Sequence, residues 1–143
     1  DRLAIEADLG TFFVDVPERM AKAQLVISRS GASTVAELAV IGRPAILVPF
    51  PHALDQDQAT NAGVLAAEGA VIVAEQAKFG PERLAEELRG LMTDPMRLAP
   101  MAAAARRIGR PDAVYRLADL VEKVARKAAQ QPTGSKSNDE DAA

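Results

Sequence analysis

The run Ser28-Arg29-Ser30-Gly31-Ala32-Ser33-Thr34 carries the first recognisable chemistry in this sequence. Its side chains are small enough for backbone N–H groups to approach a ligand, and the apolar spacing that follows makes it the entry to a helix. The first amides of a helix lack internal partners and sit at the positive end of its dipole, which suits a diphosphate. Taken alone, a Ser-Gly turn before a helix is more often plain capping. Glu37 follows three residues after Thr34, so both side chains emerge at the same helix end. A carboxylate there can accept hydrogen bonds from two ribose hydroxyls, although a lone helical glutamate is ordinarily just solvated.

A second cluster, Pro51-His52-Ala53-Leu54-Asp55-Gln56-Asp57-Gln58, concentrates carboxylates and amides that can recognise sugar hydroxyls through paired donors and acceptors. The carboxylates of Asp55 and Asp57 also suit a magnesium or manganese ion carried by a diphosphate, but two carboxylates do not define a metal site, and none is expected. His52 is the sole histidine. It has no nucleophile or carboxylate in a recognisable constellation around it, so a structural role outweighs general-base catalysis. A third candidate is the backbone at Val14, which can read the edge of a flat base.

These groups need a scaffold, and the chain supplies one. Residues 11–16 form a short β-prone run, and Pro17 starts a brief helix through residue 23. Gln24-Leu25-Val26-Ile27-Ser28 reads as a nearly all-apolar strand. Residues 33–41 follow as a helix, with Val35, Leu38 and Ala39 at helical spacing and Gly42 at the capping position. Residues 45–50 form a further buried strand, residues 56–68 a helix closed by Gly69, and residues 70–74 a last strand. Strands alternating with helices at this spacing require crossovers, so the strands lie parallel in one sheet with helices on its faces. In such a sheet ligands bind beyond the carboxyl ends of the strands, where all three candidate loops fall. Residues 81–92 and 112–129 read as amphipathic helices, and residues 96–108 as a helix interrupted at Pro100.

Length and composition bound the function. At 143 residues the chain has room for one domain with a core. With 48% hydrophobic and 26% charged residues it should fold. A formal net charge of −3 offers no positive field, so nucleic acid is not an expected partner. The chain has no cysteine, which excludes disulfides and thiolate metal sites. Its apolar runs fall well short of a membrane span. The opening Asp1-Arg2-Leu3 lacks both methionine and an apolar leader, and the expectation is a fragment of a longer protein. Residues 130–143 contain no apolar residue beyond alanine and are expected to form a disordered tail after a domain spanning residues 1–129.

Three linked motifs now stand in order: Ser-Arg-Ser-Gly-Ala-Ser-Thr-Val-Ala-Glu-Leu, then Gly42-Arg43-Pro44-Ala45, then Val48-Pro49-Phe50-Pro51-His52 followed by Asp55-Gln56-Asp57-Gln58-Ala59-Thr60-Asn61-Ala62. Together they resemble the carboxy-terminal domain of the MurG family, within glycosyltransferase family 28, from about residue 11 to residue 127. The resemblance implies an α/β fold: a Rossmann-like parallel sheet with helices on both faces, part of the second domain of a GT-B enzyme, with its first strands missing. It implies an inverting hexosyltransferase of peptidoglycan synthesis, moving N-acetylglucosamine from UDP-N-acetylglucosamine to a lipid-linked muramyl-pentapeptide acceptor, without a cofactor. The Val14 backbone would contact uracil. Ser30, Gly31, Ala32, Ser33, Thr34, Val35, Ala36 and Glu37 would bind the substrate, with the segment from Ala32 to Glu37 taking the diphosphate and ribose. Asp57 and Gln58 would contact the sugar. The acceptor site, the catalytic base and peripheral contact with the cytoplasmic face of the plasma membrane would belong to the missing amino-terminal domain. No catalytic residue is assigned to this chain, and Arg29 either touches ligand or braces the turn. The alternatives are a stand-alone UDP-sugar-binding subunit that needs a separate acceptor-binding chain, a related GT-B glycolipid glycosyltransferase, or an epimerase acting on the same sugar nucleotide.

Overall fold

A computed structural model describes residues 6–51 and 57–130. The chain divides into two compact units, residues 1–110 and residues 111–143. The first carries a parallel sheet of three strands, β1 (Val26–Ser28), β2 (Ala45–Leu47) and β3 (Val71–Val73), in that order. The register aligns Ile27 with Ile46 and Ile46 with Ile72. Helix α1 (Val16–Lys22) precedes β1, and the crossovers are α2 (Ala32–Ile41) and α3 (Asp57–Ala67). Helices α4 (Pro81–Met92) and α5 (Leu98–Ile108) complete this unit.

The alternation of side chains along a strand divides the core in two. Ala45, Leu47 and Val71 face one cluster, where Leu38 and Ala39 of α2, Ala62 and Leu65 of α3, and Ala104 and Ala105 of α5 are all buried. Ile46 faces the other side with Ile72 and Ala74, packed against Leu84, Leu88 and Leu91 of α4 and Phe79. Helices therefore cover both faces of the sheet, and β2, between two strands, is buried at each of its residues. A strand covered on both sides has no use for polar residues, which is why Ala45-Ile46-Leu47 reads as continuous apolar sequence. Helix α2 ends at Gly42, whose φ of 74° is the left-handed conformation that closes a helix; its N–H and that of Arg43 both donate to the Leu38 carbonyl.

Three expectations are corrected. Residues 11–16 form no strand: they run irregularly into α1, which begins at Val16. β propensity is realised only where a neighbouring strand supplies a ladder. Here Arg19 organises the segment instead, with its guanidinium 4.0 Å from the Phe13 ring centre and paired to Asp15 at 2.8 Å and Asp8 at 2.6 Å. Helix α5 runs through Pro100 without a break, because Pro100 is the third residue of the helix, where the missing N–H would have had no partner. The strand expected over residues 45–50 stops at Leu47; Val48 N–H still donates to Ser28, but Pro49 and Pro51 have no N–H to continue the ladder.

The described residues of the second unit carry α6 (Ala113–Gln130), braced by an Arg126–Glu122 ion pair at 3.0 Å, one turn apart. Gln130 is its last helical residue rather than the first of a tail. The remainder of the expected tail, residues 131–143, lies outside the described residues, as do His52, Asp55 and Gln56.

Candidate functional site

At the carboxyl end of β1 the chain turns through Arg29, Ser30 and Gly31 into α2. Gly31 occupies the N-cap with φ −60° and ψ 151°, and no side chain caps the helix. The amides of Ala32, Ser33 and Thr34 therefore open outward from the helix end. A Cβ built on Gly31 would meet no atom of the described residues within 4 Å, so none of them fills the space in front of the turn. Glu37 lies one turn into α2, half-buried, and no described residue hydrogen-bonds or ion-pairs with its carboxylate. A cradle of amides with an uncommitted carboxylate beside it suits a nucleoside diphosphate. Val35 and Ala36 contribute backbone on the same helix, and Val35 packs against the core.

Among the described residues Ser30 is the one fully buried polar side chain, and the structure uses it internally. Its Oγ donates to the Gln58 carbonyl at 2.7 Å, and its own carbonyl accepts from Asn61 Nδ2 at 3.3 Å. Gln58 stands in the first turn of α3, beyond the end of β2. Its Oε1 accepts the Phe50 N–H at 2.9 Å, which fixes the amide: the oxygen faces the backbone and the NH2 group is the donor left over. Arg29 braces the same loop from its other end, donating to the carbonyls of Val48 at 3.1 Å and Pro49 at 3.4 Å, with its guanidinium 5.5 Å from the Phe50 ring centre. Asp57 begins α3, exposed, where a carboxylate also complements the helix dipole.

The structure thus gathers Gly31, Ala32, Ser33, Thr34, Glu37, Asp57 and Gln58 at the carboxyl ends of β1 and β2. Val14 belongs to a different element. It is 89% exposed and lies two residues before the start of α1, which packs on α2. Sequence reasoning passed over Asn61, although its place three residues after Gln58 puts both on one face of α3. It also passed over the loop after β3, where Glu75 and Gln76 line a cleft of about 830 Å³ with Pro49, Phe50, Ala59 and Val73. Glu75 is paired to Lys78 at 2.5 Å, and that hydrogen bond holds the lysine above its ordinary pKa. Among the described residues no group of three or more histidines, cysteines or acids is placed to hold a metal ion.

The model of the glycosyltransferase family 28 C-terminal domain matches residues 2–124. The chain belongs to this family. Among relatives of this family member, the UDP-N-acetylglucosamine--N-acetylmuramyl-(pentapeptide) pyrophosphoryl-undecaprenol N-acetylglucosamine transferase of Nitrobacter hamburgensis is 61% identical over 126 residues, covering 88% of this chain and 34% of the relative. The protein of the same name from Brucella anthropi is 59% identical over 124 residues, 87% of this chain and 33% of that one. The chain thus spans about a third of the length of these relatives. The crystal structure of Acinetobacter baumannii MurG superposes with a TM-score of 0.71 at 36% identity, covering 78% of this chain and 32% of that one. The glycosyltransferase VinC in complex with DTDP superposes at 0.61 with 25% identity, covering 83% of this chain and 28% of that one. A family 28 carboxy-terminal domain is thereby established as an α/β fold with a parallel sheet and helices on both faces.

Proposed function

We propose that this family 28 domain is the donor-binding part of an inverting transferase that moves N-acetylglucosamine from UDP-N-acetylglucosamine to a lipid-linked muramyl-pentapeptide, the step from lipid I to lipid II in peptidoglycan synthesis. The observation that carries the reading is the uncapped start of α2, open at Gly31 and flanked by Glu37 and Gln58. Relatives about 60% identical are named for the same donor and acceptor chemistry, and the structural neighbour VinC is in complex with DTDP.

In the transfer, an acceptor hydroxyl attacks the anomeric carbon of the sugar while the bond from that carbon to the diphosphate oxygen breaks, and UDP departs. Negative charge builds on the departing diphosphate, so amides already aimed at that position stabilise the transition state more than the ground state. The Ala32, Ser33 and Thr34 amides supply this; Glu37 holds the ribose, Gln58 with Asp57 the sugar, and the Val14 backbone the uracil. The acceptor-binding surface, the base and the peripheral attachment to the cytoplasmic face of the membrane are assigned to sequence outside this chain. Among the described residues no helix is long and apolar enough to cross a membrane.

Calorimetric titration tests the reading. The chain should bind UDP and UDP-N-acetylglucosamine, prefer the latter over UDP-glucose, and transfer no sugar to a lipid-linked acceptor by itself. Failure to bind any uridine nucleotide would overturn it, and measurable transfer by this chain alone would overturn the division of labour.

A further inference from the structure

Within the donor-binding reading, we propose that Ser30 and Arg29 are positioning residues that clamp both stems of the loop after β2 to the diphosphate turn, so that the Gln58 amide is held with its NH2 group toward the sugar. Adjacent in sequence, the two residues reach opposite ends of one loop. Arg29 takes the Val48 and Pro49 carbonyls, where the chain leaves β2, and Ser30 takes the Gln58 carbonyl, where it enters α3. The stems are then joined directly by the Phe50 N–H to Gln58 Oε1 bond.

The burial of Ser30 decides its role. A hydroxyl that contacted ligand would open toward the site, whereas this one is 0% exposed and spends its proton on a carbonyl 28 residues away. A buried hydroxyl is satisfied by such a bond and is left costly without it. The consequence for Gln58 is directional. A backbone N–H can only donate, so the amide oxygen is committed to Phe50 and the sugar meets a donor, which selects an acceptor oxygen on the ligand. The turn that receives the diphosphate and the amide that receives the sugar thus move as one piece, and recognition of the sugar depends on a residue that never touches it.

The test measures UDP and UDP-N-acetylglucosamine affinities side by side for wild type, Ser30→Ala, Gln58→Glu and the Ser30→Ala/Gln58→Glu double variant. The quantity read is the added affinity that the sugar confers over UDP alone. Gln58→Glu retains an acceptor for the Phe50 N–H but offers the sugar no donor, so that added affinity should fall roughly three- to ten-fold, the worth of one hydrogen bond. Ser30→Ala should lower it similarly while leaving UDP affinity within about two-fold, and the double variant should lose no more than either single one. Amide exchange of Phe50 should quicken in Ser30→Ala and remain slow in Gln58→Glu. Equal losses for UDP and the sugar nucleotide in Ser30→Ala would overturn the proposal, as would additive losses in the double variant or unchanged Phe50 exchange. Wild type that binds neither ligand would overturn the donor-binding reading with it, whereas wild type that binds both, with Ser30→Ala indifferent, would overturn the clamp alone.

Discussion

Substituting Gly31 separates fold from ligand more cleanly than any other change at this site. An added Cβ meets none of the described residues within 4 Å, and φ −60° with ψ 151° is ordinary backbone for any residue, so Gly31→Ala should strain nothing in the free protein. Two small effects oppose one another: alanine is a poorer N-cap than glycine, and it restricts the unfolded chain. Each is worth up to about 1 kcal/mol, so the melting temperature should move by only a few degrees. The same methyl group intrudes where a diphosphate must approach the amides. Losing one charge-assisted hydrogen bond costs about 1.5–3 kcal/mol, which is roughly a ten- to hundred-fold rise in Kd for UDP. Calorimetry with UDP and with uridine, alongside a thermal melt, reads both quantities, and Gly31→Val should exaggerate the effect. Uridine should be almost unaffected because it carries no phosphate. Unchanged UDP affinity would show that the phosphate does not approach Gly31; equal losses for UDP and uridine would show that the loop itself had been displaced.

Glu37→Gln should weaken UDP about ten-fold or more and abolish most of the preference for UDP over its 2′,3′-dideoxy analogue, and an intact preference would remove Glu37 from the ribose site. Leu65→Ala deletes a fully buried side chain and should cost about 2–5 kcal/mol in denaturant unfolding; a loss below 1 kcal/mol would contradict the packing of α3 on the sheet. The hydrogen bond from Arg19 holds the Asp15 carboxyl below its ordinary pKa. Its ion-paired contribution is therefore complete above the ordinary carboxylate range and lost as pH falls through the lowered value. In an NMR titration Asp15 should titrate higher in Arg19→Gln than in wild type, and identical midpoints would refute the pairing.

The sheet was legible because its strands are buried on both faces and its crossovers are regular: a nearly unbroken apolar run, a capping glycine and a helical stripe leave little choice at residues 24–47. Residues 11–16 misled because Phe12, Phe13 and Val14 carry strand propensity whatever lies beside them, while a strand exists only with a partner. Pro100 misled because its effect depends on its place within the helix, and the start of α5 is unmarked by any capping side chain. At the site, residue types pointed to the diphosphate turn and the sugar loop. They did not disclose that Ser30 faces inward, since exposed and buried serines at a helix entry share the same local sequence. Only the chain 28 residues onward supplies the carbonyl that decides it.

The strand order β1-β2-β3 follows chain order, and this ties ligand recognition to folding. Every proposed contact except Val14 falls between β1 and the start of α3, so the two crossovers that close the sheet also assemble the site. A chain in which β1 and β2 are not yet paired retains no weaker version of it: until β2 lies beside β1, Ser30 has no Gln58 to hold. The unfolded chain should consequently have negligible affinity for the nucleotide, and all binding free energy should appear as added resistance to unfolding. At a hundred-fold excess of ligand over Kd that addition is about 2.7 kcal/mol. For a unit of this size, this is a substantial share of the whole stability.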